Sequence, residues 1–214
     1  MRTTITIIII AICFSLSSQA QSIIELSEDI SFVSSLSDIS IDSIVEVSTI
    51  AEDGTTECIR YGELYTVYSE VISKIVSKTN IDENELVLSE ENDVILPASG
   101  ETQIDIATAS CVEKSGIALG GDLNIIKSQI DGIFLSYYLN NARKRNIARL
   151  AQGISVVHLY ASQLAILKID LPYLREQTKI ADFLSSIDKS IENIVDKIEQ
   201  SQKWKQGLLQ KMFV

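Results

Sequence analysis

One histidine, two prolines and three cysteines in 214 residues are thin supplies, and each scarcity removes a class of protein. Cys13, Cys58 and Cys111 are an odd number at wide spacing with no C-x-x-C pair, and the single histidine cannot complete a zinc set. The thiols read as buried or idle and reduced. With Pro97 and Pro172 as the only prolines there is no N/D-P-P-Y methylase motif. Glycine-rich cofactor loop, P-loop, D…E-x-K nuclease core and a convincing Ser-His-Asp set are all missing. Gly120-Gly121-Asp122 has neither the lysine nor the following helix of a phosphate loop and reads as a strand-entry turn. The chain reads as non-catalytic, with no cofactor and no metal.

Positive charge is also short, and unevenly so. The net charge is −11. Residues 21–100 carry 17 acids against 3 bases, whereas residues 101–214 carry 12 acids against 14 bases. Contact with a polyanion therefore belongs to the second half, in local clusters, and an acidic chain of this kind binds DNA poorly by itself because phosphate neutralisation supplies much of that affinity. At 46% hydrophobic and 22% charged the composition is one that folds, and the length suits one domain plus an extension.

The first twenty residues, MRTTITIIIIAICFSLSSQA, have Arg2, an apolar run from Ile5 to Leu16, and small residues at Ser18 and Ala20. That is the anatomy of a secretory signal peptide, and the run is short for a membrane span. A buried β-strand is the bland reading, from the β-branched content, and a rearranged gene start is a third, but the local pattern favours the signal. The rest of the chain weighs for a cytoplasmic location, with export, from the signal-like start, as the alternative.

From residue 21 to 57 the pattern is Ser-, Asp- and Ile-rich, with short alternations at Ile39–Ile41 and Ile44–Val47 that suggest strands. Asp53-Gly54 signals a turn, and Cys58–Tyr61 reads as a strand. Leu64, Val67, Val71, Ile75 and Val76 have helical spacing, so Leu64–Ser77 is expected as a short helix. Strands are expected at Glu85–Leu88, Val94–Leu96, Ile104–Val112, Gly116–Leu119 and Asp122–Lys127. Asp131–Leu150 is expected as one helix whose apolar face includes Phe134, Tyr137 and Ile147, closed by Gly153. Val156–Leu159 and Leu167–Ile169 are expected strands around a short helix at Ser162–Ala165.

The last forty residues are the most regular. Ile180, Ile187, Ile194, Ser201 and Leu208 share one heptad position, and Leu184, Ile191, Ile198, Lys205 and Met212 share the other. Spacings of four and three set them on one stripe of a helix roughly 55–60 Å long at about 1.5 Å per residue. A rod of that length needs a second helix to cover its seam. Trp204 lies off the strict seam and, with Ser201 and Lys205, interrupts it.

The wording of this helix is specific as well as its period. Pro172, Glu176, Gln177, Lys179, Ile180, Ala181, Phe183, Leu184, Ile187 and Asp188 form a P-x-x-x-EQ-x-KIA-x-FL-x-x-ID block, and Lys205, Gly207, Leu208, Gln210, Lys211, Met212 and Phe213 form a K-x-GL-x-QKMF block. Both blocks, in this order, resemble the conserved helix of the specificity subunit of type I restriction-modification systems. Upstream, NDVILPASG (92–100), GIALGGDLNIIK (116–127), FLSYYLNNARKRNIARLAQG (134–153) and SVVHLYASQLAILKIDLP (155–172) look like the second half of a target recognition domain.

The resemblance implies an α+β fold: a mixed recognition domain over residues 21–170, after a leader of uncertain nature at 1–20, and a coiled-coil helix over 171–214 for dimerisation and subunit assembly. It implies a half-subunit with one domain and one helix, which recognises one half of a bipartite target in double-stranded DNA. The chain would dock modification (methyltransferase) subunits and, through the complex, the restriction subunit, and would pair with a second half-subunit or itself. An exported acidic structural protein, or a nonfunctional fragment of a rearranged gene, are the alternatives. Within the domain, Ser99, Thr102 and Gln103 form a polar loop in which glutamine can pair with adenine and the hydroxyls with either base; a plain hairpin turn is the bland reading. His158 and Tyr160 alternate with Val157 and Leu159, and with Gln152 make a second polar face. Arg143, Lys144, Arg145 and Arg149 could hold phosphates or cap a solvated helix end. On the helix, Ile180, Leu184, Ile187, Ile191, Ile194, Ile198, Leu208 and Met212 are the expected pairing residues.

Overall fold

The computed structural model describes residues 33–35, 40–44, 51, 54–82, 86–153 and 155–213, the first two stretches as backbone only. Cys13, Asp53 and the first twenty residues lie outside the described residues. Thirteen short strands are described: β1 (Val33–Ser35), β2 (Ser40–Ile44), β3 (Thr56–Ile59), β4 (Val71–Ile72), β5 (Ser77–Thr79), β6 (Val87–Leu88), β7 (Val94–Pro97), β8 (Ser99–Gly100), β9 (Ser110–Val112), β10 (Ala118–Leu119), β11 (Leu123–Lys127), β12 (Val157–His158) and β13 (Lys168–Asp170). The helices are α1 (Glu63–Thr66), α2 (Gly132–Tyr138), α3 (Lys144–Leu150), α4 (Ala161–Leu164) and α5 (Leu174–Phe213).

The chain divides into two units, one of residues 24–178 and one holding residues 179–214. In the first, a five-stranded mixed sheet runs β2-β11-β7-β9-β4 and a four-stranded sheet runs β5-β3-β10-β6. Ile72, Ile95, Val112, Leu123 and Ile125 of the first sheet share a core cluster with Ile59 and Leu119 of the second and with Leu64 of α1. Every residue of β7 is buried, as expected of a central strand, and α2 packs on β7 and β9. The close approach explains the residue that opens α2: a Cβ on Gly132 would sit 2.6 Å from the Asn92 carbonyl and 2.8 Å from Cys111 Sγ. Asp131 caps the helix by accepting from Phe134 N–H at 3.0 Å. Cys58 and Cys111 are both buried free thiols, and burial pushes the Cys111 pKa up to about 12.

Three expectations need correction. Leu64–Ser77 is not one helix: after α1 the chain enters β4, which pairs parallel with Cys111 and Val112 of β9, and then β5. The apparent period there mixes buried Leu64 with exposed Val67 and Val76, and pairing partners forty residues away decide the outcome. Ile104–Val112 is a strand only over β9, because Glu101–Ala107 is folded as turns with Ile104 exposed. Asp131–Leu150 is helical but not uniformly so, since Leu139–Arg143 forms a wider π turn between α2 and α3. Gly153, at φ +138°, follows the helix by three residues and begins the next turn instead of capping the helix.

In the second unit α5 is a single element of 40 residues, whose first turn still belongs to the first unit. That turn is tied down: Gln177 is buried, its Oε1 accepts from Asp131 N–H at 3.0 Å, and its Nε2 donates to the Pro172 carbonyl at 2.8 Å. Ile180, Leu184 and Ile187 have intermediate exposure, while Ile191 (53%), Ile194 (56%), Ile198, Leu208 and Met212 are exposed, as are Trp204 and Phe213.

Candidate nucleic-acid interface

The polar residues singled out from the sequence meet on a two-stranded ribbon. β8 pairs antiparallel with β12, setting Ser99 against His158 and Gly100 against Val157. Main-chain bonds root the ribbon in the central sheet: Ala98 N–H donates to the Asp122 carbonyl at 2.6 Å and Leu159 N–H to the Ala98 carbonyl at 2.9 Å. Asn124, fully buried on β11, donates from Nδ2 to the Leu159 carbonyl at 2.9 Å. Alternation along β12 then works as the sequence pattern implies. Val157 and Leu159 point inward and are buried; His158 and Tyr160 are exposed, Tyr160 by 56%. Their rings stack with centroids 6.2 Å apart and 16° between planes.

A tight turn brings the chain back to β12. Gln152 and His158 bracket each other through two main-chain hydrogen bonds of 2.9 and 2.7 Å. Gly153 makes the turn feasible: a Cβ there would lie 2.0 Å from the Val156 carbonyl oxygen. Gln152 is exposed beside His158.

On the other strand, β8 runs into a polar loop. Thr102 Oγ1 donates to Asp105 Oδ2 at 2.6 Å and accepts from Asp105 N–H at 3.1 Å, and Ile106 N–H donates to the Thr102 carbonyl at 3.2 Å. Ile106 and Ala107 are then fully buried, so the loop is anchored while Glu101, Thr102, Gln103 and Ile104 stay exposed. Ser99 sits differently. It is 5% exposed, and its hydroxyl donates to Asp122 Oδ2 at 3.1 Å, which leaves it a strut of the ribbon rather than part of its surface. Asp122 adopts φ 59°, a strained entry to β11 held by this pair of contacts.

The four bases divide as well. Arg143 pairs with Asp170 and lies over the Tyr138 ring at 5.3 Å, and the Tyr138 hydroxyl accepts from Asp170 N–H at 3.0 Å. Lys144 Nζ donates to Thr108 Oγ1 at 3.2 Å. Both cations are half-buried and engaged within the domain, whereas Arg145 and Arg149 are exposed on α3, whose end leads directly to Gln152.

Burial raises the Tyr65 phenol, and so do Tyr61, Glu101 and Asp105, which lie within electrostatic reach. Glu101 and Asp105, some forty residues away in sequence, thus act electrostatically on α1, and no local pattern signals that influence. Among the described residues no group of three or more His, Cys, Asp or Glu side chains could hold a metal ion, and no helix is long and apolar enough to cross a membrane.

An exposed ribbon of amide, hydroxyl and aromatic side chains, with two arginines exposed on the preceding helix and no ion pair to them among the described residues, is suited to an edge-reading surface flanked by phosphate contacts. The MjaVIII type I restriction enzyme specificity subunit of Methanocaldococcus jannaschii is 28% identical over 145 residues, 67% of this chain and 32% of that one. The type I restriction-modification S subunit from M. genitalium superposes with a TM-score of 0.62 at 19% identity, over 88% of this chain and 47% of that one. The HsdS subunit from Thermoanaerobacter tengcongensis gives a TM-score of 0.52 at 15% identity, over 93% of this chain and 50% of that one. At those identities the structural likeness is one of fold, and the chain spans about half the length of the solved subunits and a third or less of the curated ones. Residues 32–200 match the family described as "Type I restriction modification DNA specificity domain", and the chain belongs to that family.

Proposed function

We propose that this chain supplies sequence recognition to a type I restriction-modification complex, reading one half of a bipartite target in double-stranded DNA. The observation that carries the reading is the family match across residues 32–200, which takes in both the recognition ribbon and most of the long helix. In this reading the recognition domain covers residues 21–170 and the assembly helix 171–214. The chain performs no chemistry itself. Methyl transfer belongs to modification subunits that dock on it, and cleavage to a restriction subunit reached through the complex. The second half of the target falls to another recognition domain, brought in by a like helix against the seam of α5.

Within the interface the roles divide by what each side chain can discriminate. Gln103, Gln152, His158 and Tyr160 present donors, acceptors and ring faces to base edges, Gln103 can pair bidentately with adenine, and Thr102, its hydroxyl taken up by Asp105, shapes the loop that carries Gln103. Arg145 and Arg149 hold phosphates, which carry no sequence information. Ser99, Arg143 and Lys144 support these positions through Asp122, Asp170 and Thr108. The test is the pattern of methylated sites in cells that carry the chain with its modification subunits. Gln103→Ala and His158→Ala should each change which sites are methylated, with a cost of about 1–3 kcal/mol per lost base contact. Two folded variants that leave the motif as it was would sink the assignment.

A further inference from the structure

Asn140 sits in the π turn and spends its whole side chain on one distant residue and its neighbour. Its Oδ1 accepts from Ala109 N–H at 2.7 Å, and its Nδ2 donates to the Ala109 carbonyl at 2.8 Å and to Glu70 Oε1 at 3.2 Å. The amide thus satisfies both main-chain groups of Ala109, as a neighbouring strand would. Four residues on, Lys144 reaches Thr108 at 3.2 Å. Thr108 and Ala109 are the stem by which the Glu101–Asp105 loop returns to β9. The other stem of that loop is Ser99–Gly100, held by His158, which Gln152 brackets, and Gln152 follows the end of α3. One helical unit, Gly132–Leu150, therefore grips both stems of the loop: one through Asn140, the other through the turn at its carboxyl end.

We propose that Asn140 is a positioning residue for sequence discrimination. It holds the loop's return stem in register with the ribbon, so base choice depends on a side chain that faces no base. The inference rests on the reading of the Glu101–Asp105 loop as a base-reading element. Its physical basis is that a contact made by Gln103 discriminates only when its amide is held to within a fraction of an ångström, and the loop's own bonds fix its shape but not its placement.

The experiment uses the full chain with its modification subunits and compares methylation at motif sites with methylation at sites one base away. Asn140→Asp keeps the acceptor for Ala109 N–H, loses the donor, and sets a carboxylate against Glu70. The ratio of motif to near-motif methylation should fall about five- to tenfold, the lower range of what one mismatched base pair is worth. Adding Glu70→Gln returns a donor to the cluster and should recover part of the ratio. An unchanged ratio, or an equal fall at both classes of site, overturns the proposal. Should Asn140→Asp be too unstable to purify, Thr108→Val cuts only the second tether and is judged by the same ratio. Gln103→Ala is measured in parallel. If it shifts the motif while Asn140→Asp does not relax it, only the positioning role fails; if Gln103→Ala and His158→Ala both leave the motif intact, the loop is not a reader and this inference falls with it.

Discussion

Arg145 and Arg149 illustrate how little of a residue's role is set by its type. Four bases stand within seven positions, and two of them are taken up by Asp170, Tyr138 and Thr108. The exposed pair predicts a specific salt behaviour. Each neutralised phosphate releases condensed counterions, so replacing both arginines with alanine should reduce the slope of log affinity against log salt by about two, at every sequence alike. Titration of labelled DNA at several salt concentrations measures this, and a change of motif instead would contradict it. Gly153 gives a second prediction at this scale. Its φ of +138° and the 2.0 Å approach of the Val156 carbonyl leave no room for a methyl group. Gly153→Ala should open the turn that brackets His158 and weaken recognition, while the core around Ile95 and Ile125 stays folded. The checks are a near-native melting profile and a loss of site-specific methylation. The sequence shows the alternation of Val157, His158, Leu159 and Tyr160 directly, because strand period needs only neighbours. It cannot show that Ser99 is buried under Asp122, since that depends on a partner twenty-three residues away.

At the scale of elements, legibility follows length. α5 is evident from its seven-residue repeat because forty residues average out local accidents. Strands of two to five residues give no such average, and β4 reads as part of a helix until its parallel partner in β9 is known. The same long helix carries the clearest prediction. Ile191 and Ile194 are more than half exposed on its apolar stripe, and burying each against a partner contributes roughly 1.5–3 kcal/mol. Substituting aspartate at both should abolish association through α5, seen as a shift to monomer in sedimentation. A chain that is already monomeric before the change, at micromolar concentration and without partner subunits, would remove the pairing role.

For the whole molecule the decisive quantity is charge. A net −11, with Arg145 and Arg149 the exposed bases of the cluster before the proposed reading ribbon, leaves little phosphate-neutralising surface. The chain alone should bind DNA weakly and with little sequence preference, then gain both on addition of modification subunits. Mobility-shift titrations with and without those subunits check this; tight, specific binding by the chain alone would refute it. Family membership favours this DNA-directed reading over that of an exported acidic protein, because the match spans residues 32–200.

The pairing of β1 with β13, Val33 against Asp170, has a consequence for how the protein is made. On the ribosome the amino-terminal strands emerge first yet wait longest for their partners. β2 must wait for β11, some eighty residues later, and β1 for the last strand of the domain. Non-local closure of this kind folds slowly and leaves early segments uncovered meanwhile. The strand that completes the sheet pairing ends only three residues before α5 begins, so the folded first unit and the long helix become available almost together. Synthesis order thus keeps an apolar stripe from appearing long before the unit that precedes it is complete.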